Sequence, residues 1–113
     1  MNQIVDEVGL LSHVRDRLVA GFQPLRIILF GSRARGDARP DSDVDLLVIV
    51  QEASDKRRMA IDIRSALRDL AVGKDVIVTT PDEIAERGQL VGSVLRPALR
   101  DGRVIYIMIG ADA

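Results

Sequence analysis

Apolar positions along this chain recur with two periods, one near 3.6 and one near 2, and the switches between them outline the elements. Over residues 4–20, Ile4, Val8, Leu11 and Leu18 share one face at helical spacing, with Asp6, Arg15 and Asp16 elsewhere, which predicts an amphipathic helix. His13 falls on the opposite side and is expected to be exposed. Residues 25–30, LRIILF, read as a strand ended by Gly31-Ser32, after which SRARG opens as a short helix. Residues 44–50, VDLLVIV, are a continuous β-branched apolar run, the pattern of a central strand covered on both faces. Residues 55–72 place Met59, Ile63, Leu67 and Leu70 on one stripe with Arg57, Arg64 and Arg68 off it, predicting a second amphipathic helix. DVIVT at 75–79 is a short strand. TPDE then signals a helix start, with Thr80 as cap, Pro81 in the first turn, Glu83 completing a capping box and Gly88 ending the helix. A further helix over 92–99 and a turn at Asp101-Gly102 lead to a last strand, RVIYIM, at 103–108.

The resulting order, α-β-β-α-β-α-α-β, predicts an α/β (α+β) fold in a single small domain over residues 1–113, a mixed β-sheet flanked by helices. The strand–helix–strand unit from 44 to 79 favours parallel pairing through a right-handed crossover. The loop of about a dozen residues between the first two strands suits antiparallel neighbours. Those two pairings alone gather Gly31-Ser32, Asp43, Asp45 and Asp75 at one edge of the sheet.

Composition narrows the function classes. At 113 residues, 47% hydrophobic and 29% charged, the chain has the balance of a soluble globular domain. A net charge of −1 argues against direct nucleic-acid binding by bulk electrostatics. The absence of cysteine excludes a disulfide framework and a thiolate metal site. Charge is spread through the first 22 residues, so neither a signal peptide nor a membrane span is expected, and a cytoplasmic location is the default.

Asp43 and Asp45 are two residues apart at a strand start, so both carboxylates face one side of the sheet. Such a pair repels unless a cation offsets it, and oxygen-only donors suit magnesium, which also takes phosphate oxygens. Asp75 at the same edge supplies a third carboxylate for a two-ion site. A solvated turn or a helix cap is the alternative reading of Asp43 and Asp45, and it is the preferred one for Asp41 after Pro40. Gly31-Ser32 reads either as a phosphate-holding turn or as an ordinary one. Arg33, Arg35 and Arg39 either meet phosphate or balance the loop's aspartates, and Arg33, nearest the Gly-Ser turn, is the favoured nucleotide contact. Tyr106 in the last strand reads as packing, Lys74 as a loop lysine, and RGD at 35–37 as chance. Arg57, Arg58, Arg64 and Arg68 form a basic helix face, solvated or turned to a partner.

Gly31-Ser32, then ten residues from Arg33 to Ser42, then Asp43-Val44-Asp45, resembles the Gly-Ser-x10-Asp-x-Asp signature of the DNA polymerase β-type nucleotidyltransferase superfamily. The chain is most similar to its minimal nucleotidyltransferases, over about residues 8–107. The resemblance implies the polymerase β-type nucleotidyltransferase fold and a nucleoside triphosphate held at Gly31 and Ser32. It implies magnesium on Asp43 and Asp45, with Asp75 assisting the metal and deprotonating the attacking group. Two magnesium ions and ATP as substrate follow from the same likeness. Minimal nucleotidyltransferases are encoded beside helical HEPN-domain toxins, which implies an antitoxin that transfers AMP to a tyrosine of that partner. The larger relatives carry a second, substrate-binding domain that this sequence lacks. Two other readings stay open: a non-catalytic toxin-neutralising module, and a nucleotidyltransferase that acts on a small molecule with a partner subunit.

Overall fold

The computed structural model describes residues 7–90, 92–93 and 95–109. In chain order these form α1 (Glu7–Phe22), β1 (Arg26–Phe30), α2 (Ser32–Arg35), β2 (Val44–Ile49), α3 (Lys56–Ala66), β3 (Lys74–Thr79), α4 (Pro81–Arg87), α5 (Leu95–Asp101) and β4 (Arg103–Ile107). The strands make one mixed sheet in the order β3-β2-β1-β4. As the loop length and the crossover imply, β1 and β2 are antiparallel while β2 and β3 are parallel. β4 adds antiparallel to the other side of β1, with a register shift between Ile27 and Ile28.

The alternation along β2 sorts its side chains onto two cores. Val44, Leu46 and Val48 join Leu10, Leu11, Val14 and Leu18 of α1 and Ala60 and Ile63 of α3. Leu47 and Ile49 point the other way and pack with Ile28, Leu95 and Ala98, with Ile84 of α4 at the margin. The apolar run at 44–50 is thus a central strand covered on both sides, as its sequence requires.

Several expectations change, among them the helix expected over 92–99, which runs instead from Leu95 to Asp101. The first helix was placed with Val8 on its apolar face, but Val8 is 75% exposed, and the buried stripe begins at Leu10. At about 100° per residue the stripe Leu10, Leu11, Val14 and Leu18 is centred roughly 110° away from Val8, so the helix is rotated from the expected face and Val8 turns to solvent. Ile4 lies outside the described residues. The helix expected over 55–72 stops at Ala66. Leu67, Arg68 and Leu70 then donate to carbonyls three residues back, so the chain tightens into turns that bring it to β3. The stripe itself survives: Ile63 and Leu67 are fully buried and Met59 and Leu70 pack beside them.

Caps fix the helix starts. The Asp55 carboxylate accepts from the Arg58 amide at 3.0 Å, and the Thr80 hydroxyl accepts from the Glu83 amide at 3.3 Å. The Glu83 carboxylate turns instead to the Thr79 hydroxyl and to Lys56, whose Nζ lies 2.9 Å away. Tyr106 packs at the edge of the α1/α3 core, and His13 is exposed.

Candidate active site

The registers of β1, β2 and β3 line up one row across the sheet. Phe30 is the partner of Asp45, and Asp45 is the partner of Asp75. Registered residues on neighbouring strands face the same side, so Asp45 and Asp75 project together onto the α4/α5 face. Both helices on that face have only seven residues. Asp43 precedes β2 and is exposed, as is Asp75, while Asp45 is half-buried. The Asp45 carboxyl is held above its ordinary range, first by burial, then by the charges of Asp75 and Asp43, with Arg35 pulling the other way. Asp43 and Asp75 are therefore both brought within electrostatic reach of Asp45.

Two glycines make the space they occupy. Gly31 has φ +75° and ψ −154°, a conformation side chains avoid, and a Cβ there would run into Oδ2 of Asp45. Gly73 leads into β3, and a Cβ there would run into Oδ1 of Asp43. The Gly73 carbonyl also accepts from the Val44 amide at 2.8 Å, which seats the start of β2 beside it. Gly31 was singled out from the sequence but Gly73 was not. Its only signal was a glycine directly before a strand, which reads equally as a turn.

The arginines divide. Arg33 was expected to meet nucleotide phosphate, yet its side chain is only 4% exposed and its guanidinium turns into the loop. Nε and Nη2 donate to the Ser42 carbonyl at 3.2 and 2.7 Å, Nη2 also to Pro40 at 3.1 Å, and Nη1 to the Glu7 carboxylate at 2.7 Å. Arg35, exposed on the same short helix, is the arginine whose charge acts on Asp45. Arg39 and Asp41 sit in the turn that links them. There the Arg39 amide donates to the Ser42 hydroxyl at 2.8 Å and the Ser42 amide to the Arg39 carbonyl at 3.0 Å.

A cleft of about 390 Å³ opens beside this row, lined by Phe30, Gly31, Arg35, Pro97 and Asp101. Of these, only Gly31 was named as a site residue from the sequence, because the wall contributed by α5 arrives through tertiary packing. A larger hollow of about 800 Å³ lies between the start of α1, loop 38–41 and turn 69–72. Neither hollow is lined by Asp43, Asp45 or Asp75, but the smaller one shares Gly31, which abuts Asp45, and Arg35, whose charge acts on it, and so lies nearer the acidic row.

The donor set fits magnesium. Among the described residues no three His, Cys, Asp or Glu side chains are gathered closely enough to cage an ion alone. Magnesium does not need such a cage, since it keeps waters and binds through one or two carboxylates with substrate phosphates. Burial and two neighbouring carboxylates already make ionised Asp45 costly, and a cation relieves that cost.

Comparison with known proteins places the chain in a family and a fold. The family model described as nucleotidyltransferase domain matches residues 11–104. A Methanocaldococcus jannaschii protein, provisionally named the protein adenylyltransferase MJ1305, is 42% identical over 72 residues, 64% of this chain and 44% of that protein. The chain thus spans less than half the length of that relative. The fold resembles a Sulfolobus solfataricus crystal structure provisionally named a nucleotidyltransferase, with TM-score 0.57 and 22% identity over 92% of this chain and 83% of that one. It likewise resembles a toxin–antitoxin crystal structure with AMP-PNP, with TM-score 0.57 and 19% identity over 87% and 73% of the two chains. With its strand registers, its Gly-Ser turn and its acidic row in the matched span, the chain belongs to the nucleotidyltransferase domain family.

Proposed function

We propose that the acidic row binds ATP with two magnesium ions and transfers AMP to a hydroxyl of a partner protein, most simply a tyrosine of a HEPN-family toxin that the chain neutralises. The observation that carries this reading is the placement of Asp45, half-buried, in register with Asp75 and against Gly31. A fold gains nothing from holding like charges there unless a cation joins them. The names of two similar proteins, a protein adenylyltransferase and a toxin–antitoxin with AMP-PNP, support the same donor and acceptor class.

In this reading Gly31 and Ser32 approach the phosphates and Arg35 takes the role first given to Arg33. Asp43 and Asp45 would hold magnesium, which when bound would offset the charge of the triphosphate. The acceptor oxygen forms a bond to the α-phosphorus, the bond from that phosphorus to the bridging oxygen breaks, and pyrophosphate leaves. Asp75, exposed at the mouth of the row, receives the hydroxyl proton. Residues 1–113 act as one catalytic unit in the cytoplasm, without nucleic acid or membrane. No helix among the described residues is long and apolar enough to cross a membrane.

Incubating the protein with magnesium, each α-labelled nucleoside triphosphate and a candidate HEPN-family partner tests this. Label from ATP is expected on the partner and none with Asp43→Asn. Absence of label from every nucleotide, with the partner folded, overturns the reading.

A further inference from the structure

We infer that Arg33 is a positioning residue, a buried clamp that fixes loop 39–42 and so sets where Asp43 stands. The inference rests on the magnesium reading of the acidic row and adds a residue that acts on that row from behind. Ser42 is the residue directly before Asp43, and its carbonyl takes two of the guanidinium's bonds. The Pro40 carbonyl takes another, so both sides of the Asp41 turn are tied to one side chain. The turn's own bonds, between Arg39 and Ser42, then hold it closed. One residue further on, Val44 is anchored to Gly73. Asp43 is thus suspended between two fixed points, the Arg33 clamp on one side and the Gly73 carbonyl on the other.

The clamp has a balanced charge. A buried guanidinium needs an anionic partner, and the carboxylate of Glu7, the first described residue of α1, accepts from Arg33 Nη1. That links the first turn of α1 to the position of Asp43. Only arginine does this: its planar fork reaches two carbonyls and a carboxylate at once, whereas a lysine ammonium is a single point charge. A phosphate contact from the same guanidinium requires it to leave these partners.

Arg33→Lys separates the two roles, with two readouts that need no catalysis. Amide exchange of Ser42 and Val44 is expected to rise at least roughly tenfold, while exchange of Val48 in mid-strand, reporting global opening, stays unchanged. Affinity for Mn2+, read from loss of its free-ion resonance with ATP present, is expected to fall roughly tenfold, the scale of removing a supporting residue from a metal site. ATP affinity without metal stays as in the wild type. Unchanged exchange at Ser42 and Val44, or weakened metal-free ATP binding with a rigid loop, overturns the clamp. If Arg33→Lys is too unstable, Glu7→Gln, which keeps one acceptor but loses the charge, is expected to give the same changes at smaller size. A wild-type protein that takes up no Mn2+ instead overturns the proposed function, and is distinguished because the exchange readout needs no metal.

Discussion

The two faces of the sheet are built from alternate residues of the same strands, and they differ in the length of their helices. On the α1/α3 face, Leu18, Ile27, Leu29, Leu46, Ile63 and Leu67 are all buried essentially completely. On the α4/α5 face the core is smaller, centred on Ile28, Leu47, Ile49, Leu95 and Ala98 with the partly buried Phe30 at its margin, and in β2 its last member toward the strand start is Leu47. The next position on that face in β2 is Asp45. Long helices seal one side and supply the stability. Shorter helices pack on the other side, and there a half-buried carboxylate and its neighbours can meet a ligand. A shift of one residue in β2 exchanges the two sets, so the register carries both the core and the chemistry.

Substitutions can test that division, and the largest effect belongs to the sealed face. Leu46→Ala is expected to lower unfolding free energy by about 2–5 kcal/mol in urea titration, with no direct effect on ligand contacts. A loss under about 1 kcal/mol would mean that this face is not the main core.

Next comes Gly31→Ala. It combines a backbone conformation that costs roughly 1–3 kcal/mol with displacement of the Asp45 carboxylate. Both the apo melting temperature and the stabilisation by magnesium with ATP are expected to fall. Gly73→Ala has no such backbone term and needs only the exposed Asp43 side chain to swing. It is expected to reduce the ligand-induced shift while leaving the apo protein nearly as stable. Equal apo losses in the two variants would argue against the steric role given to Gly31.

Asp45→Asn should act in the opposite direction on the apo protein. The folded-state pKa of Asp45 is raised, so its contribution favours folding below the unfolded value and is lost as pH rises through the folded one. At neutral pH the ionised group counts against the fold. The variant is therefore expected to melt higher at pH 7, by on the order of a few degrees. The gain should shrink on acidification through the carboxylate range, and the response to magnesium with ATP should vanish. A lower melting temperature at pH 7 would make Asp45 a structural residue instead.

The smallest expected effect is at the exposed Arg17–Asp69 ion pair between α1 and the turn after α3. The bond to Arg17 holds the Asp69 carboxyl below its ordinary range, but both groups are bathed in water. Asp69→Asn should leave melting and ligand response indistinguishable from wild type. A clear loss would show that turn 69–72 contributes to the site.

Much of this was legible before the fold. The periodicities located every strand to within a residue or two, because alternation and β-branching are local signals. The Gly-Ser turn and the three aspartates followed from residue type and spacing, and the strand order placed them at one edge. The ends of α1 and α3 were less legible. Val8 and the stretch after Ala66 continue a helical pattern, but the rotation of α1 against the sheet leaves Val8 in solvent, and the turns that lead into β3 end α3 while Leu67 stays buried.

The arginines show where sequence reading ends and why. On a helix, Arg33 and Arg35 stand roughly 200° apart, so spacing requires that they point in opposite directions. Nothing in the spacing says which of the two points toward the aspartates. That depends on how α2 is rotated as it leaves β1, which is set by the turn at Gly31, by Glu7 arriving from α1 and by the Pro40 and Ser42 carbonyls arriving from the loop. Gly73 and the Pro97–Asp101 wall have the same origin, since both reach the site through packing between segments remote in sequence. Local chemistry is written residue by residue and can be read that way. Which guanidinium becomes a loop clamp and which faces the carboxylates is a property of three chain segments meeting, and it exists only once they have met.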